Sequence, residues 1–236
     1  MTGIDKIHKW ATLLGLGEKS GIDLPGENRG LVPSPEWKKA AVNEKWYAGE
    51  TISVSIGQGA VSVTPVSMAV YMATLANGGS RMQPSVLMNI YAPGTPDSDL
   101  TGYADLTRGQ IVYTRDPKVI QTLDMRPELR DPIMQGVQNV VRLVSVNGHL
   151  STAGRVFQKF PMDKLPLAGK TGTAQGSGNR SENDSSVFVA FSTDPNVPYT
   201  VGSYMERSGY GAQASAPAVK CVFYALGGFT RMDPVR

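Results

Sequence analysis

The sequence has little of the material from which disulfides and metal sites are built. Of its 236 residues, one is a cysteine, Cys221, and two are histidines, His8 and His149. A lone thiol excludes an internal disulfide framework, although it leaves the redox compartment open. The histidines are far apart and lack the spacing of a metal site, so we interpret them as surface or capping residues. We therefore expect neither a metal nor a cofactor.

The sequence also lacks an excess of one charge and a long apolar run. Its 23 Lys and Arg against 20 Asp and Glu give a net charge of +3. Without a basic cluster, no nucleic-acid partner is expected. The most apolar window, Val61 to Ala76, is interrupted by Pro65 and is too short to span a bilayer. The start, MTGIDKIHKW, has no apolar core of a signal peptide. With 41% hydrophobic residues, the chain can bury one core and is most simply one domain or most of one.

Hydrophobic periodicity at helical spacing predicts four helices, over residues 4–14, 65–76, 127–144 and 215–226. Thr64 is a suitable N-cap for the second of them, and Pro65 suits its first position. The stretch from Gly15 to Glu50 is rich in glycine and proline, which predicts an irregular segment. Residues 92–109 predict a polar surface loop.

Strands are predicted at Val86 to Tyr91 and, near the C-terminus, at Leu165 to Ala174, Val187 to Thr193 and Tyr199 to Glu206. The last three are β-branched and aromatic, and short turn clusters separate them, so we expect one antiparallel sheet of consecutive hairpins. Helices and strands do not alternate regularly. The fold class is therefore predicted as α+β, an antiparallel sheet packed with helices.

The segment that carries the chemistry is Lys170-Thr171-Gly172-Thr173 in the first of those three strands. Side chains alternate along a strand, so Thr171 and Thr173 can present two hydroxyls to one anionic group. Lys170 adds a positive charge that attracts a carboxylate, and Gly172 allows a substrate backbone to approach closely. The Thr173 N–H can donate to the oxyanion of an attacked carbonyl. Pro166 just upstream favours an edge strand, with which an extended peptide could pair.

A Lys-Thr-Gly tripeptide alone arises by chance in many proteins, and it then marks only a strand ending in a turn. Here it is accompanied by further phrases in a fixed order: Gly21-Ile22-Asp23-Leu24-Pro25-Gly26-Glu27, Gly30, Pro33-Ser34, Trp37, Ser55-Ile56-Gly57-Gln58-Gly59, Thr64-Pro65, Ala76-Asn77-Gly78-Gly79, Asp184 to Ser192, Tyr199 to Glu206 and Ala214-Ser215-Ala216-Pro217.

Together these phrases resemble the C-terminal part of a penicillin-binding protein transpeptidase domain, from about Ile4 to about Leu226. Lys-Thr-Gly is one of the signatures of penicillin-binding proteins and serine β-lactamases. Gln175 after the motif and the Ser55 to Gly59 phrase are similar to class B enzymes rather than class A. The Gly21 to Trp37 stretch is most similar to the elongation-type penicillin-binding protein 2 of that class.

The resemblance implies a function for the whole enzyme. A serine attacks the D-Ala-D-Ala end of a peptidoglycan stem peptide, the terminal D-Ala leaves, and an amine of a neighbouring peptide resolves the acyl-enzyme. β-Lactams acylate the same serine. Lys170, Thr171, Gly172 and Thr173 would bind the substrate, with Thr173 also supplying an oxyanion N–H. The resemblance further implies the extracytoplasmic face of the inner membrane or the periplasm, and a membrane glycosyltransferase of the cell-wall machinery as partner.

The residues of covalent chemistry are missing. No serine of the sequence is followed by a lysine three residues later, as the Ser-x-x-Lys motif of the family requires. Ser-x-Asn occurs at Ser145, Ser177 and Ser181, but each match lies after the position that the family's order demands. We therefore expect residues 1–236 to be an N-terminally truncated transpeptidase domain that lacks both motifs, with a sheet that is incomplete on the N-terminal side and no activity alone.

Two alternatives remain open at the level of sequence. The same strand would serve a β-lactamase or a D,D-carboxypeptidase, and only the flanking phrases argue against these hydrolases. A non-catalytic interaction fragment is the other alternative.

Two further motifs are interpreted as structural. Gly57-Gln58-Gly59 lacks the strand and acidic partner of a dinucleotide site and predicts a tight turn, and Cys221 predicts a small core residue in the last helix.

Overall fold

The structure is a computed structural model of the chain, and it describes residues 2–92, 110–146, 148–176 and 184–229. Its helices are α1 (Ile4–Leu13), α2 (Pro35–Val42), α3 (Ala48–Ser55), α4 (Pro65–Ala76), α5 (Pro127–Val141), α6 (Gly154–Phe157) and α7 (Ser215–Leu226). Its strands are β1 (Ser80–Met82), β2 (Asn89–Tyr91), β3 (Ile111–Thr114), β4 (Val119–Thr122), β5 (Ser145–Val146), β6 (His149–Leu150), β7 (Leu167–Ala174), β8 (Ser185–Ser192) and β9 (Thr200–Met205). None of the described helices combines the length and apolar character needed to cross a bilayer.

The main sheet is antiparallel with the strand order β7-β8-β9. Its register pairs Leu167 with Ser192 and Ala174 with Ser185 along the full length of β7. This arrangement confirms the predicted sheet of consecutive hairpins and leaves β7 at one edge. Three small antiparallel pairs, β1 with β4, β2 with β3 and β5 with β6, lie outside it.

The core occupies both faces of the main sheet because β8, the middle strand, is buried on both sides. On one face Phe188 and Ala190 pack with Phe157 of α6 and Phe223 of α7. On the other face, Val189 and Phe191 pack with α4 and α5 through a second set of apolar side chains: Met72, Leu75, Met134 and Val137. The period-two alternation along β8 thus divides its side chains between two helical layers.

Two helices begin with the same local chemistry. At α4 the Thr64 hydroxyl accepts the Ser67 N–H at 3.1 Å, as the sequence predicts. At α2 the Ser34 hydroxyl accepts the Trp37 N–H at 3.1 Å, and Pro35 takes the first helical position. Each cap satisfies an N–H that has no partner inside the helix. The prediction of an irregular segment from Gly15 to Glu50 is therefore wrong over α2 and the start of α3.

The other predicted elements differ from the structure mainly at their ends. The helix α7 matches its predicted bounds, whereas α5 ends at Val141 rather than Val144. The predicted strand from Val86 is regular only as β2. The predicted loop over residues 92–109 and the Ser177 and Ser181 matches lie almost wholly outside the described residues.

Candidate substrate-binding edge

The four residues of the motif lie on β7, and its outer edge faces away from β8. The Thr171 carbonyl accepts the Lys170 ammonium at 2.8 Å, and the Thr173 carbonyl accepts the Gln58 side-chain amide at 3.1 Å. Neither donor belongs to β8. Carbonyls two residues apart point to the same side of a strand, so both acceptors lie on the outer edge. We call the backbone of Thr171 and Thr173 the free edge of β7.

Alternation places the Thr171 and Thr173 side chains on one face of β7, as the motif predicts. Both are half-buried, while Lys170 is exposed. The Thr171 hydroxyl donates to the Thr152 hydroxyl at 3.1 Å, which ties the strand to the turn before α6. The ammonium of Lys170 remains near the free edge, because its contact is the backbone oxygen of the next residue. Two hydroxyls and a cation therefore lie beside the free edge.

Gly211 presses the backbone of another segment against β7 and β8. A Cβ on Gly211 would lie 2.5 Å from the Gly172 oxygen and 2.5 Å from the Val187 oxygen, which no side chain tolerates without movement. Gly172 is half-buried beneath this contact, and a Cβ there would meet the Val187 Cβ at 3.3 Å. The strand that carries the motif is therefore held from its face by a glycine backbone as well as by β8.

Buried hydroxyls fix the segment that carries Gly211. Ser186 of β8 donates to the Tyr210 carbonyl at 2.9 Å and accepts the Ser215 N–H at 3.0 Å. Ser215 returns a hydrogen bond from its hydroxyl to the Ser186 carbonyl at 2.7 Å. Both serines are fully buried, so each polar group needs its partner. This network anchors the start of α7 to the strand next to the motif.

Gln58 reaches the free edge from the end of α3. The Gly57 N–H bonds to the Val54 carbonyl and the Gln58 N–H to the Ser53 carbonyl, both at 2.9 Å. This is the Schellman pattern, which requires a left-handed residue, and Gly57 supplies it with φ 76°. Gly57-Gln58-Gly59 is thus the tight turn that the sequence predicts. The turn directs Gln58 towards Thr173.

The helix α3 is itself attached to α2 by a charged pair. The Lys38 ammonium contacts the two Glu50 carboxylate oxygens at 2.7 and 2.8 Å, and Glu50 also accepts the Tyr47 N–H at 2.8 Å. Hydrogen bonding to Lys38 lowers the pKa of Glu50, and hydrogen bonding to Glu50 raises the pKa of Lys38. The Lys38 side chain is nearly buried, so the pair fixes where α3, and with it Gln58, lies.

Other candidate residues lie elsewhere. His8 Nδ1 is 2.9 Å from the Val32 carbonyl oxygen, His149 is on β6, and Cys221 is on α7. Within the described ranges, no three His, Cys, Asp or Glu side chains gather as a metal ion would require. The contacts of Gln58, Thr152 and Gly211 with the motif were not predicted from sequence. For Gln58 a signal existed, because the Ser55 to Gly59 phrase carried part of the family resemblance.

A groove of about 850 Å³ lies between α4, α5 and the β8–β9 turn. Its lining includes Asn77, Arg130, Asp194 and Tyr199. It also includes Ser192, which pairs with Leu167 at the start of β7. The motif occupies the other half of that strand, so the groove is at the opposite end of the sheet from the free edge.

Comparison with known proteins identifies relatives over nearly the whole chain. The family model for the penicillin-binding protein transpeptidase domain matches residues 1–224. Peptidoglycan D,D-transpeptidase MrdA of Acinetobacter baumannii is 34% identical over 99% of this chain and 33% of its own length. MrdA of Escherichia coli K12 is 31% identical over 89% of this chain and 31% of its own length. The chain thus spans about a third of the length of these curated relatives.

Solved structures agree with the sequence relatives. Penicillin-binding protein 2 of Pseudomonas aeruginosa is 32% identical, covers 94% of this chain and 44% of its own, and superposes with a TM-score of 0.69. A peptidoglycan synthase complex described as coordinating polymerization and crosslinking contains a chain that is 30% identical, with coverages of 98% and 34% and a TM-score of 0.72. The mixed fold of helices and antiparallel sheet is shared with these neighbours. The chain belongs to the penicillin-binding protein transpeptidase domain family and is of the penicillin-binding protein 2 type.

Proposed function

We propose that this chain is the substrate-binding part of a serine D,D-transpeptidase that cross-links peptidoglycan. In the whole protein, a serine attacks the carbonyl of the penultimate D-Ala of a stem peptide and the terminal D-Ala leaves. The acyl group then passes to the amine of a neighbouring peptide. A penicillin reacts with the same serine because its lactam carbonyl is attacked in the same way.

The observation that carries this proposal is the free edge of β7. An edge strand offers backbone groups that an extended peptide can pair with, and strand addition is a common mode of peptide recognition. The Thr173 N–H shares the side of the strand on which the Thr173 carbonyl accepts Gln58. A backbone N–H fixed in a strand can stabilise the oxyanion without reorganising during the reaction.

The charge of Lys170 supports an orientation in which the carboxylate of the acyl donor lies beside it. The acyl donor ends in a carboxylate, and the exposed Lys170 ammonium is beside the free edge. The hydroxyls of Thr171 and Thr173 are on one face of the same four-residue segment. We assign Lys170, Thr171 and Thr173 to binding of the donor carboxylate, Gly172 to the close approach of the donor backbone, and the Thr173 N–H to the oxyanion.

No serine here precedes a lysine by three positions, and this supports a nucleophile supplied by another segment of the whole protein. We therefore propose that residues 1–236 are a partial transpeptidase domain that is inactive alone. For the whole protein we propose a location in the periplasm or on the extracytoplasmic face of the inner membrane. We also propose a membrane glycosyltransferase as its partner. The relative in a complex described as coordinating polymerization and crosslinking supports this partner. A second relative, 25% identical, is described in complex with MreC.

The test is acylation of the full-length protein by a penicillin, with variants at Lys170. Lys170→Ala should slow the second-order acylation rate by roughly ten- to hundredfold, because a hydrogen bond to a charged group contributes about 1.5–3 kcal/mol. Lys170→Arg keeps the charge and should retain part of the rate. The loss should shrink at high salt, which screens the exposed charge. An unchanged rate in Lys170→Ala would remove the free edge as the binding site.

A further inference from the structure

The side-chain amide of Gln58 already donates a hydrogen bond to the Thr173 carbonyl. Its Nε2 lies 3.1 Å from that oxygen, although the two residues are 115 positions apart in the chain. The backbone of Gln58 is fixed by the turn at the end of α3, whereas its side chain is half-buried and, among the described residues, is held by one hydrogen bond to β7. The amide is therefore a local cap on an acceptor of the free edge.

A peptide that pairs with the free edge needs this acceptor. In an antiparallel hydrogen-bonded pair, one residue uses both its N–H and its C=O with the residue opposite. A donor residue whose carbonyl accepts the Thr173 N–H therefore directs its own N–H at the Thr173 carbonyl. That N–H approaches the Gln58 amide, because Gln58 already donates to the Thr173 carbonyl from the outer side of β7.

We propose that Gln58 is a specificity-determining residue, which competes with the acyl donor's own N–H for the Thr173 carbonyl. This inference rests on the proposed function of the free edge. A donor with an amide N–H next to the attacked carbonyl either displaces Gln58 or shares the two lone pairs of the oxygen with it, and in both cases its own hydrogen bond is weakened. A ligand without that N–H leaves the Gln58 hydrogen bond intact and loses no binding free energy to it. The Gln58 amide therefore reduces the difference in acylation rate between ligands with and without the N–H.

The competition has a bounded size. Exchanging one neutral hydrogen bond for another in contact with water changes an equilibrium by roughly two- to tenfold. The glycine turn raises the strength of the competitor, since a tethered group acts at a high effective concentration. The attachment of α3 to α2 through Lys38 and Glu50 maintains that tether.

The experiment compares two ligands in the full-length protein that contains this segment. One is benzylpenicillin, which carries an acylamino N–H next to its reactive carbonyl, and the other is penicillanic acid, the same bicyclic nucleus with only hydrogen in that place. Gln58→Met removes the donor and keeps the length of the side chain, and Gln58→Ala serves as a second variant. Gln83→Met is the matched control, because the Gln83 amide also donates to a backbone carbonyl, that of Gly21, away from β7.

Removing the cap should raise the second-order acylation rate by benzylpenicillin roughly two- to tenfold and leave the rate with penicillanic acid unchanged. Gln83→Met should change neither rate. A fall in both rates by the same factor would overturn the proposal, because Gln58 would then orient the Thr173 peptide rather than compete for it. Unchanged rates for both ligands would overturn it as well. If the unmodified full-length protein reacts with neither ligand, the proposed function fails, which is a different result.

Discussion

Thr173 contributes two groups that a substitution can separate. Thr173→Ala removes the hydroxyl but keeps the backbone N–H on the free edge, so the proposed oxyanion donor is retained. Losing a hydrogen bond to a charged carboxylate costs about 1.5–3 kcal/mol, which is roughly a ten- to hundredfold loss in acylation efficiency of the full-length protein. Thr114→Ala on the exposed strand β3 is the control, and it should leave the acylation rate unchanged. Equal effects of the two substitutions would contradict a binding role for the Thr173 hydroxyl.

Asp23 makes part of the stability depend on pH. Its carboxylate accepts the Val86 N–H at 2.8 Å and the Leu87 N–H at 3.2 Å, and it pairs with Arg115 at 3.0 Å. The hydrogen bond from Ser85, followed by these backbone bonds, lowers the pKa of Asp23 to about 2. The unfolded pKa is about 3.9, so this contribution is complete above pH ~4 and is lost as the pH falls towards 2.

The comparison that isolates this effect is urea unfolding of the chain and of Asp23→Asn at pH 7 and pH 3. The unmodified chain should lose more of its unfolding free energy between the two values than the variant, because Asn has no proton to gain. Asp163→Asn, on a carboxylate for which no such contacts are seen among the described residues, should follow the unmodified chain. Identical pH dependence in all three proteins would rule out Asp23 as the cause.

At the scale of elements, replacing each of two glycines by alanine should change the free energy of unfolding in opposite directions. Gly136 is on the exposed side of α5, and no atom of the described residues lies within 4 Å of where its Cβ would be, so Gly136→Ala should stabilise the helix by about 0.5–1 kcal/mol. Gly211→Ala instead directs a Cβ at the backbone oxygens of Gly172 and Val187. Displacing β7 from β8 should cost about 1–3 kcal/mol. Urea midpoints of the two variants measure both effects, and a neutral Gly211→Ala would show that the segment yields easily.

The elements that the sequence predicts well are those whose own residues determine them. Thr64-Pro65 begins α4 through a cap and a proline that need no distant partner. In the strand β8, Val187 to Phe191 form an unbroken apolar run, because both faces of the strand are covered. The same local signal, Ser34-Pro35, was present at α2 but was obscured by the glycines and prolines around it. The small pairs β1 with β4 and β2 with β3 have too few residues for a periodic pattern.

The residues of the candidate site likewise divide into those that local sequence predicts and those that it does not. Lys170 to Thr173 could be placed on an edge strand because the motif, Pro166 and the alternation are all local. Gln58 and Gly211 could not be joined to it, because their contacts are made by chain segments that meet only after the helices pack. The 115 positions between Gln58 and Thr173 carry no pattern that fixes their distance. Glycine at position 211 has a steric reason that only the folded backbone reveals.

At the scale of the whole molecule, our proposal assigns binding and covalent chemistry to different parts of the protein. The chain holds an edge strand, a cation and an N–H suited to an oxyanion, yet a hydroxyl nucleophile needs an adjacent base to become reactive. No serine of this sequence has a lysine three residues later. Recognition groups without an activated nucleophile can bind a lactam but cannot open it.

We therefore predict that the chain alone forms no covalent adduct with a fluorescent penicillin. Incubation followed by denaturing electrophoresis should give no labelled band, while the full-length protein, run beside it at the same concentration, should be labelled in proportion to its amount. Lys170→Ala in the chain alone should make no difference, because there is no covalent step for the cation to assist. Stoichiometric labelling of the chain at any serine would contradict the assignment of the nucleophile to another segment, and peptide mapping would identify the residue that replaces it.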